Sequence, residues 1–334
     1  MITVYGGGSW GTALGHVLAS AGHETTLLLR DEEVARAVNE RHENPRYLAG
    51  LPLAPSLRAV TDTAILKDSD VWVLAVPCQS QRNVLESVHE LARPETVIVN
   101  AAKGIELNSL KPLSVVSAEA LHETERDMRR RYAMLSGPSF AREVIENKPS
   151  AVVLGCADEE LGARLRAMFA TPFFRCYSSP DVRGVELGGA LKNVIAIAAG
   201  VCDGLQFGDN ARAALVTRGL AEITRLGVAM GARASTFMGL SGLGDLMLTC
   251  AGELSRNRQV GLRLGRGERL EDIVADMHMV AEGVKTTRAV NALARKIDVD
   301  MPITSAMDSL LDGRLAPRQA AELLMSRALK EEGI

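Results

Sequence analysis

The chain opens with a short apolar run, Ile2–Tyr5, that passes directly into Gly6-Gly7-Gly8-Ser9-Trp10-Gly11 and then into helical periodicity from Trp10 to Ala21. This junction constrains the fold more than any other feature. A strand that turns at once into a helix must lay that helix across a sheet, and the return connection makes the next strand parallel. Gly6, Gly8 and Gly11 carry the GxGxxG spacing. The first glycine allows the tight turn, the second lets a ligand approach the backbone, and the third lets helix and strand pack closely. Amides at the helix start then form an anion site suited to a pyrophosphate. Glycine-rich turns also arise for steric reasons alone, so the weight here comes from position at the first strand–helix junction of a longer series.

That series continues. Thr25–Leu29, Val71–Val76, Val97–Asn100, Tyr132–Leu135 and Ala151–Gly155 read as further strands, with a short one near Phe174–Tyr177. Segments at 32–40, 79–91, 110–131 and 159–169 read as the helices between them. After Ser178-Ser179-Pro180 strand-like runs cease and helical spacing takes over, at 185–201, 211–230, 256–264, 270–277, 286–296, 303–312 and 317–329. The expectation is an α/β Rossmann-type parallel sheet domain over residues 1–180, binding NAD(P), followed by an all-helical C-terminal domain over 181–334 that binds substrate and carries the catalytic groups.

At 334 residues the chain exceeds one hydrophobic core, in keeping with two domains. A formal net charge of −3 leaves no basic excess for a nucleic acid or an anionic membrane surface. The run Arg126–Arg131, interrupted by Asp127, reads as a solvated helix face. Five cysteines, odd in number and without a CxxC pair, indicate neither a disulfide framework nor a zinc site, and fit a reducing cytoplasm. No apolar run is expected to span a bilayer, and Met1-Ile2-Thr3-Val4 leaves no room for a signal core.

The residue ending the second strand separates NAD from NADP: a carboxylate takes the ribose diol, whereas an arginine accommodates a 2′-phosphate. Here Arg30 is followed by Asp31, which could bind a ribose hydroxyl or cap the next helix, so both cofactors stay open with a lean to NADP or dual use. Lys103, in Asn100-Ala101-Ala102-Lys103-Gly104, leaves a sheet edge where ligands of such sheets bind, although it could be a surface lysine. Ser136-Gly137-Pro138-Ser139-Phe140-Ala141 occupies a similar edge.

Lys192 interrupts the apolar helix Gly188–Ala196. A buried ammonium needs a partner or a lowered pKa, which suits an acid–base group, whereas snorkelling to solvent would make it inert. Asp245, in Ser241-Gly242-Leu243-Gly244-Asp245-Leu246, is the candidate partner. Ser255-Arg256-Asn257-Arg258 begins a helix and unites a serine cap, helix-start amides and a guanidinium, a good receptor for a phosphate monoester.

Taken with Gly6–Ala13, Leu191-Lys192-Asn193 and Glu282-Gly283, these motifs resemble the bacterial-type NAD(P)-dependent sn-glycerol-3-phosphate dehydrogenases over essentially the whole chain. The resemblance implies a cofactor, NADPH or NADH, contacted by Ser9, Trp10, Arg30, Lys103, Ala141, Arg256, Val280 and Glu282. It implies a substrate surrounded by Lys103, Gly137, Ser139, Lys192, Asp245, Ser255, Arg256 and Asn257, with Lys192 as proton acceptor. The reaction so implied is hydride transfer between nicotinamide C4 and C2 of dihydroxyacetone phosphate, giving sn-glycerol 3-phosphate for phospholipid synthesis. Lys103 would stabilise the developing alkoxide and Asp245 would orient Lys192. Asp31 departs from the basic or neutral residue of many relatives and puts the strength of any NADP preference in doubt. A homodimer is compatible with the apolar helices after Pro180. Rival readings are a dehydrogenase acting on another hydroxy or keto acid, or a regulator that binds NAD(P) without turnover. A P-loop phosphotransferase is disfavoured because the turn lacks the Lys-Ser/Thr ending.

Overall fold

A computed structural model describes residues 1–277, 282–328 and 331. The chain divides into two compact units, Met1–Ala102 with Leu113–Val182, and Lys103–Pro112 with Arg183–Ile334. The change of texture at Pro180 assigns Lys103–Pro112 to the first part, but this segment groups with the second unit. Ile105 is fully buried in that unit's core and bridges to Pro112. An apolar anchor ten residues long inside an α/β pattern leaves no periodicity to betray it.

Unit 1 is built on a sheet of β1 (Ile2–Tyr5), β2 (Thr25–Leu28), β3 (Arg58–Val60), β4 (Val71–Leu74), β5 (Val97–Asn100), β6 (Tyr132–Ser136), β7 (Ser150–Cys156) and β8 (Phe174–Ser179), ordered 3-2-1-4-5-6-7-8. All pairs are parallel except β6–β7. Strands β4 and β5 are buried throughout, as two-faced burial requires, and Trp72 fills the space beneath with its Nε1 donating to Leu66 O at 3.0 Å. The chain order reverses direction between β1 and β4, so the turn after β1 lies at the switch point where open parallel sheets bind ligands.

The helices of unit 1 are α1 (Ser9–Ser20), α2 (Glu32–Arg41), α3 (Gln81–Val88), α4 (Leu113–Ala120), α5 (Glu125–Met128), α6 (Ala141–Ile145) and α7 (Glu159–Phe169). The single helix read over 110–131 is broken. Leu110 and His122 take left-handed backbone angles (φ 58° and 56°), and Thr124 starts α5 afresh by accepting from Asp127 N at 3.2 Å. Within the basic run Arg131 is buried, its guanidinium donating to Glu123 and to Thr96 O, while Arg126, Arg129 and Arg130 are exposed. Strand β3, three residues at the sheet edge, was too short to show an alternation.

Unit 2 is helical: α8 (Val182–Gly204), α9 (Asp209–Ala229), α10 (Ala234–Phe237), a π-turn over Leu240–Gly244, α11 (Asp245–Ala251), α12 (Arg256–Gly265), α13 (Leu270–Asp276), α14 (Glu282–Lys296), α15 (Pro302–Leu311) and α16 (Pro317–Met325). At 23 residues α8 is long and apolar enough to cross a membrane, contrary to the expectation that no run would be. Its most apolar stretch is wholly buried, with Val194, Ile195 and Ile197 packed among Ile223, Val260 and Ala289. A helix that is apolar all round is what the centre of a helical core requires. Helix α12 lies backbone to backbone against it: a Cβ at Gly200 would sit 2.0 Å from Arg258 O, and one at Gly261 1.9 Å from Ile197 O. The glycines thus set where the start of α12 falls along α8.

Candidate active site

In unit 1 the glycine turn has the shape that its spacing implies. Gly6 is at φ 128°, and a Cβ on Gly11 would lie 1.8 Å from Gly6 O, so neither position tolerates a side chain. Over Gly8, by contrast, a Cβ would meet nothing within 4 Å. Gly8 is the N-cap of α1 and offers no side-chain acceptor to the first-turn amides. Trp10 Nε1 is buried and has no hydrogen-bond partner among the described residues. An open turn at a helix start that no side chain caps fits a dinucleotide pyrophosphate. Asn44 supports it from outside the motif: fully buried, its Nδ2 donates to Gly7 O at 3.0 Å and Thr12 Oγ1 at 2.8 Å. Sequence reasoning missed Asn44, because one asparagine in a loop carries no pattern.

Beyond β2, Arg30 is exposed. Of the two roles open to Asp31, the structure has the helix cap. Its Oδ1 accepts from Glu33 N (3.1 Å) and Val34 N (3.2 Å), and Oδ2 from Arg46 Nη1 (2.9 Å). The Val34 amide and the Arg46 guanidinium hold the carboxyl below its usual range. After β6, Gly137 is at φ 128° with Val152 Cα 3.0 Å from where a Cβ would stand, Ser139 Oγ donates to Gly137 O at 3.0 Å, and Ala141 opens α6.

Unit 2 brings three of the expected residues together. The side chains of Lys192 on α8 and Asp245 at the start of α11 are 9% and 1% exposed and form an ion pair. Lys103 Nζ donates to the other Asp245 oxygen at 2.6 Å, its side chain 14% exposed. Gly188, one turn before Lys192, makes this possible: a Cβ there would lie 2.6 Å from Ser241 O, so only glycine lets the π-turn bring Asp245 against α8. Thr249 Oγ1 donates to Asp245 Oδ1 at 3.3 Å. Burial draws the Lys192 ammonium down to about 7, Asp245 opposing and Lys103 reinforcing the fall. Burial would push the Asp245 carboxyl up, but the two ammonium groups outweigh it and keep it ionised. The lysine therefore exchanges a proton near neutrality inside a buried, charged nest, the property an acid–base group needs.

At the start of α12, Ser255 is the N-cap, its Oγ accepting from Arg258 N at 3.3 Å. Arg256 is exposed and makes no ion pair with any described residue. Asn257 is buried, donating to Asn193 Oδ1 at 2.9 Å and accepting from Gly283 N at 3.0 Å, which ties α12 to α8 and to the first turn of α14 beside Glu282. Val280, expected at the cofactor, lies outside the described residues.

The family model described as NAD-dependent glycerol-3-phosphate dehydrogenase N-terminus matches residues 1–162, and its C-terminal counterpart matches 181–322. A glycerol-3-phosphate dehydrogenase [NAD(P)+] of Nitratidesulfovibrio vulgaris (strain DP4) is 58% identical over 99% of both chains. That of Lawsonia intracellularis is 54% identical over 100% of this chain and 95% of its own. The crystal structure of glycerol-3-phosphate dehydrogenase from Coxiella burnetii superposes with a TM-score of 0.91 at 36% identity, covering 98% of each chain. Two matched models in chain order, together with near full-length relatives more than half identical, place the chain in the NAD-dependent glycerol-3-phosphate dehydrogenase family.

Proposed function

We propose that the chain catalyses the reversible reduction of dihydroxyacetone phosphate to sn-glycerol 3-phosphate with NADPH or NADH, supplying the backbone for glycerophospholipid synthesis. The observation that carries this reading is the Lys103–Asp245–Lys192 cluster: a buried lysine poised near pH 7, held by a carboxylate shared with a second lysine. The bound nicotinamide supplies or accepts the hydride. As the carbonyl carbon is reduced, Lys192 delivers its proton to the oxygen, and Lys103 stabilises the negative charge gathering there. In the oxidising direction neutral Lys192 takes the hydroxyl proton. Asp245 orients both ammonium groups. The start of α12, with the Arg256 guanidinium beside the helix-start amides, receives the phosphate. In the dinucleotide turn Gly6, Gly8, Ser9, Trp10 and Gly11 hold the cofactor, with Arg30 contributing.

Five cysteines, none joined in a disulfide, support a reducing, cytoplasmic setting. A homodimer would be read as twice the 35.7 kDa chain mass in solution. The decisive assay follows oxidation of NADPH by the purified chain. Dihydroxyacetone phosphate should be the preferred acceptor, and Lys192→Ala should slow the chemical step by roughly 10²- to 10⁴-fold with dinucleotide affinity intact. A phosphate-free keto acid as the better substrate would overturn the reading.

A further inference from the structure

We propose that Arg46 sets the cofactor choice of this chain: by neutralising Asp31, it leaves Arg30 to hold the extra phosphate of NADPH. The inference rests on the dinucleotide reading of the glycine turn and concerns unit 1 alone.

The end of β2 adjoins that turn, since a Cβ on Gly7 would lie 2.5 Å from Leu29 Cβ. The two residues that follow Leu29 carry opposite charges. An unengaged carboxylate here would accept the ribose diol of NADH and repel a 2′-phosphate. Asp31 is not unengaged: one oxygen caps α2 and the other takes the Arg46 guanidinium at 2.9 Å. Both oxygens are thus engaged, and the Arg46 guanidinium offsets the negative charge beside Arg30.

Arg46 stands there because its loop is fastened to the dinucleotide turn. Asn44, buried and bonded to Gly7 O and Thr12 Oγ1, also accepts from Tyr47 N at 3.3 Å. The Arg46 guanidinium lies 5.6 Å over the Tyr47 ring. Leu53 N closes the loop onto His42 O at 2.7 Å. The Asp31 and Arg46 side chains are 37% and 61% exposed, so the pair adds little to folding stability. Its consequence falls on the ligand. With Arg46 present, an incoming phosphate dianion meets one uncompensated cation, Arg30; without it, Asp31 offsets Arg30 and the phosphate meets no net positive charge.

The test measures dissociation constants of NADPH and NADH, from the fluorescence of the reduced nicotinamide, for wild type, Arg46→Ala, Arg46→Gln and the double variant Arg46→Ala/Asp31→Asn. Adenosine 2′,5′-bisphosphate serves as competitor and thermal melts check that each variant is folded. Arg46→Ala and Arg46→Gln should weaken NADPH and the bisphosphate by about tenfold, the scale of one charge-assisted interaction, while NADH is held as well or better because an Asp31 oxygen is released to the ribose diol. Asp31→Asn in the Arg46→Ala background should restore most of the loss, because the charge that Arg46 masked is gone. An unchanged NADPH-to-NADH ratio in the single variants, or no recovery in the double variant, overturns the proposal. Turnover of dihydroxyacetone phosphate by wild type is a separate measurement, so failure of the dehydrogenase reading and failure of this one are distinguishable.

Discussion

Replacing Asp245 by asparagine probes the charge logic of the site most directly. In the folded chain burial brings Lys192 to about 7, with Asp245 as the opposing influence and Lys103 as a further depressant. Asp245→Asn removes the opposing charge and leaves the other two. An adjacent opposite charge moves a pKa by about 1–3 units, so the Lys192 ammonium should fall to somewhere between about 4 and 6. At about pH 7.5 the protonated fraction then drops from roughly a quarter to about 3% or less, a loss of about eightfold or more in the proton donor. Carbonyl reduction, which wild type should lose as pH rises through about 7, should in the variant be lost at least about one unit lower and recover on acidification. Alcohol oxidation needs the neutral amine and should keep its activity to lower pH. The assay is kcat/KM in both directions from about pH 5.5 to 9, with a thermal melt at each pH because breaking a buried pair costs about 3–5 kcal/mol when the remaining charge cannot neutralise. An unchanged midpoint with a uniform drop at every pH would show that Asp245 does not set the protonation of Lys192.

Three further outcomes follow from other parts of the molecule. Arg256→Ala should raise KM for dihydroxyacetone phosphate by about ten- to a hundredfold with a smaller effect on kcat, and an unchanged KM would move the phosphate elsewhere. Gly11→Ala should abolish dinucleotide binding and lower the melting temperature, because its Cβ would stand 1.8 Å from Gly6 O; wild-type NADPH affinity in a folded variant would contradict the steric account of the turn. Glu222, buried on α9, accepts from Ile303 N (2.5 Å), Thr304 N (3.2 Å) and Thr304 Oγ1 (3.2 Å) at the start of α15, and burial pushes its carboxyl up to about 7. The folded state thus keeps a proton that the unfolded chain gives up near 4.5, so this contribution to stability is complete below 4.5 and lost as pH rises through about 7. Glu222→Gln should flatten the melting temperature over that window, and an unaltered slope would count against a proton held at Glu222.

The sequence by itself determined the class of fold and the identity of most candidate residues. Parallel strands buried on two faces need continuous apolar runs, and Val71–Leu74 and the Val97-Ile98-Val99 stretch are such runs; a turn that excludes side chains needs glycine, and Gly6 and Gly11 stand where a Cβ would collide. A charged residue inside an apolar helix has few explanations, which made Lys192 legible, and the family motifs pointed to Lys103, Asp245 and Arg256. These signals are local, since each depends on residues within a turn or two of one another. Tertiary structure alone decided the rest. It took Lys103–Pro112 out of the sheet unit and made Lys103 and Lys192 share one carboxylate, 142 and 53 residues away along the chain. It turned Asp31 into a helix cap masked by Arg46, and it fastened that arginine's loop to the glycine turn through Asn44. The physical reason is common to all of these: a side chain's charge state and availability depend on what folding packs against it, and burial and ion pairing between distant segments leave no period in the sequence.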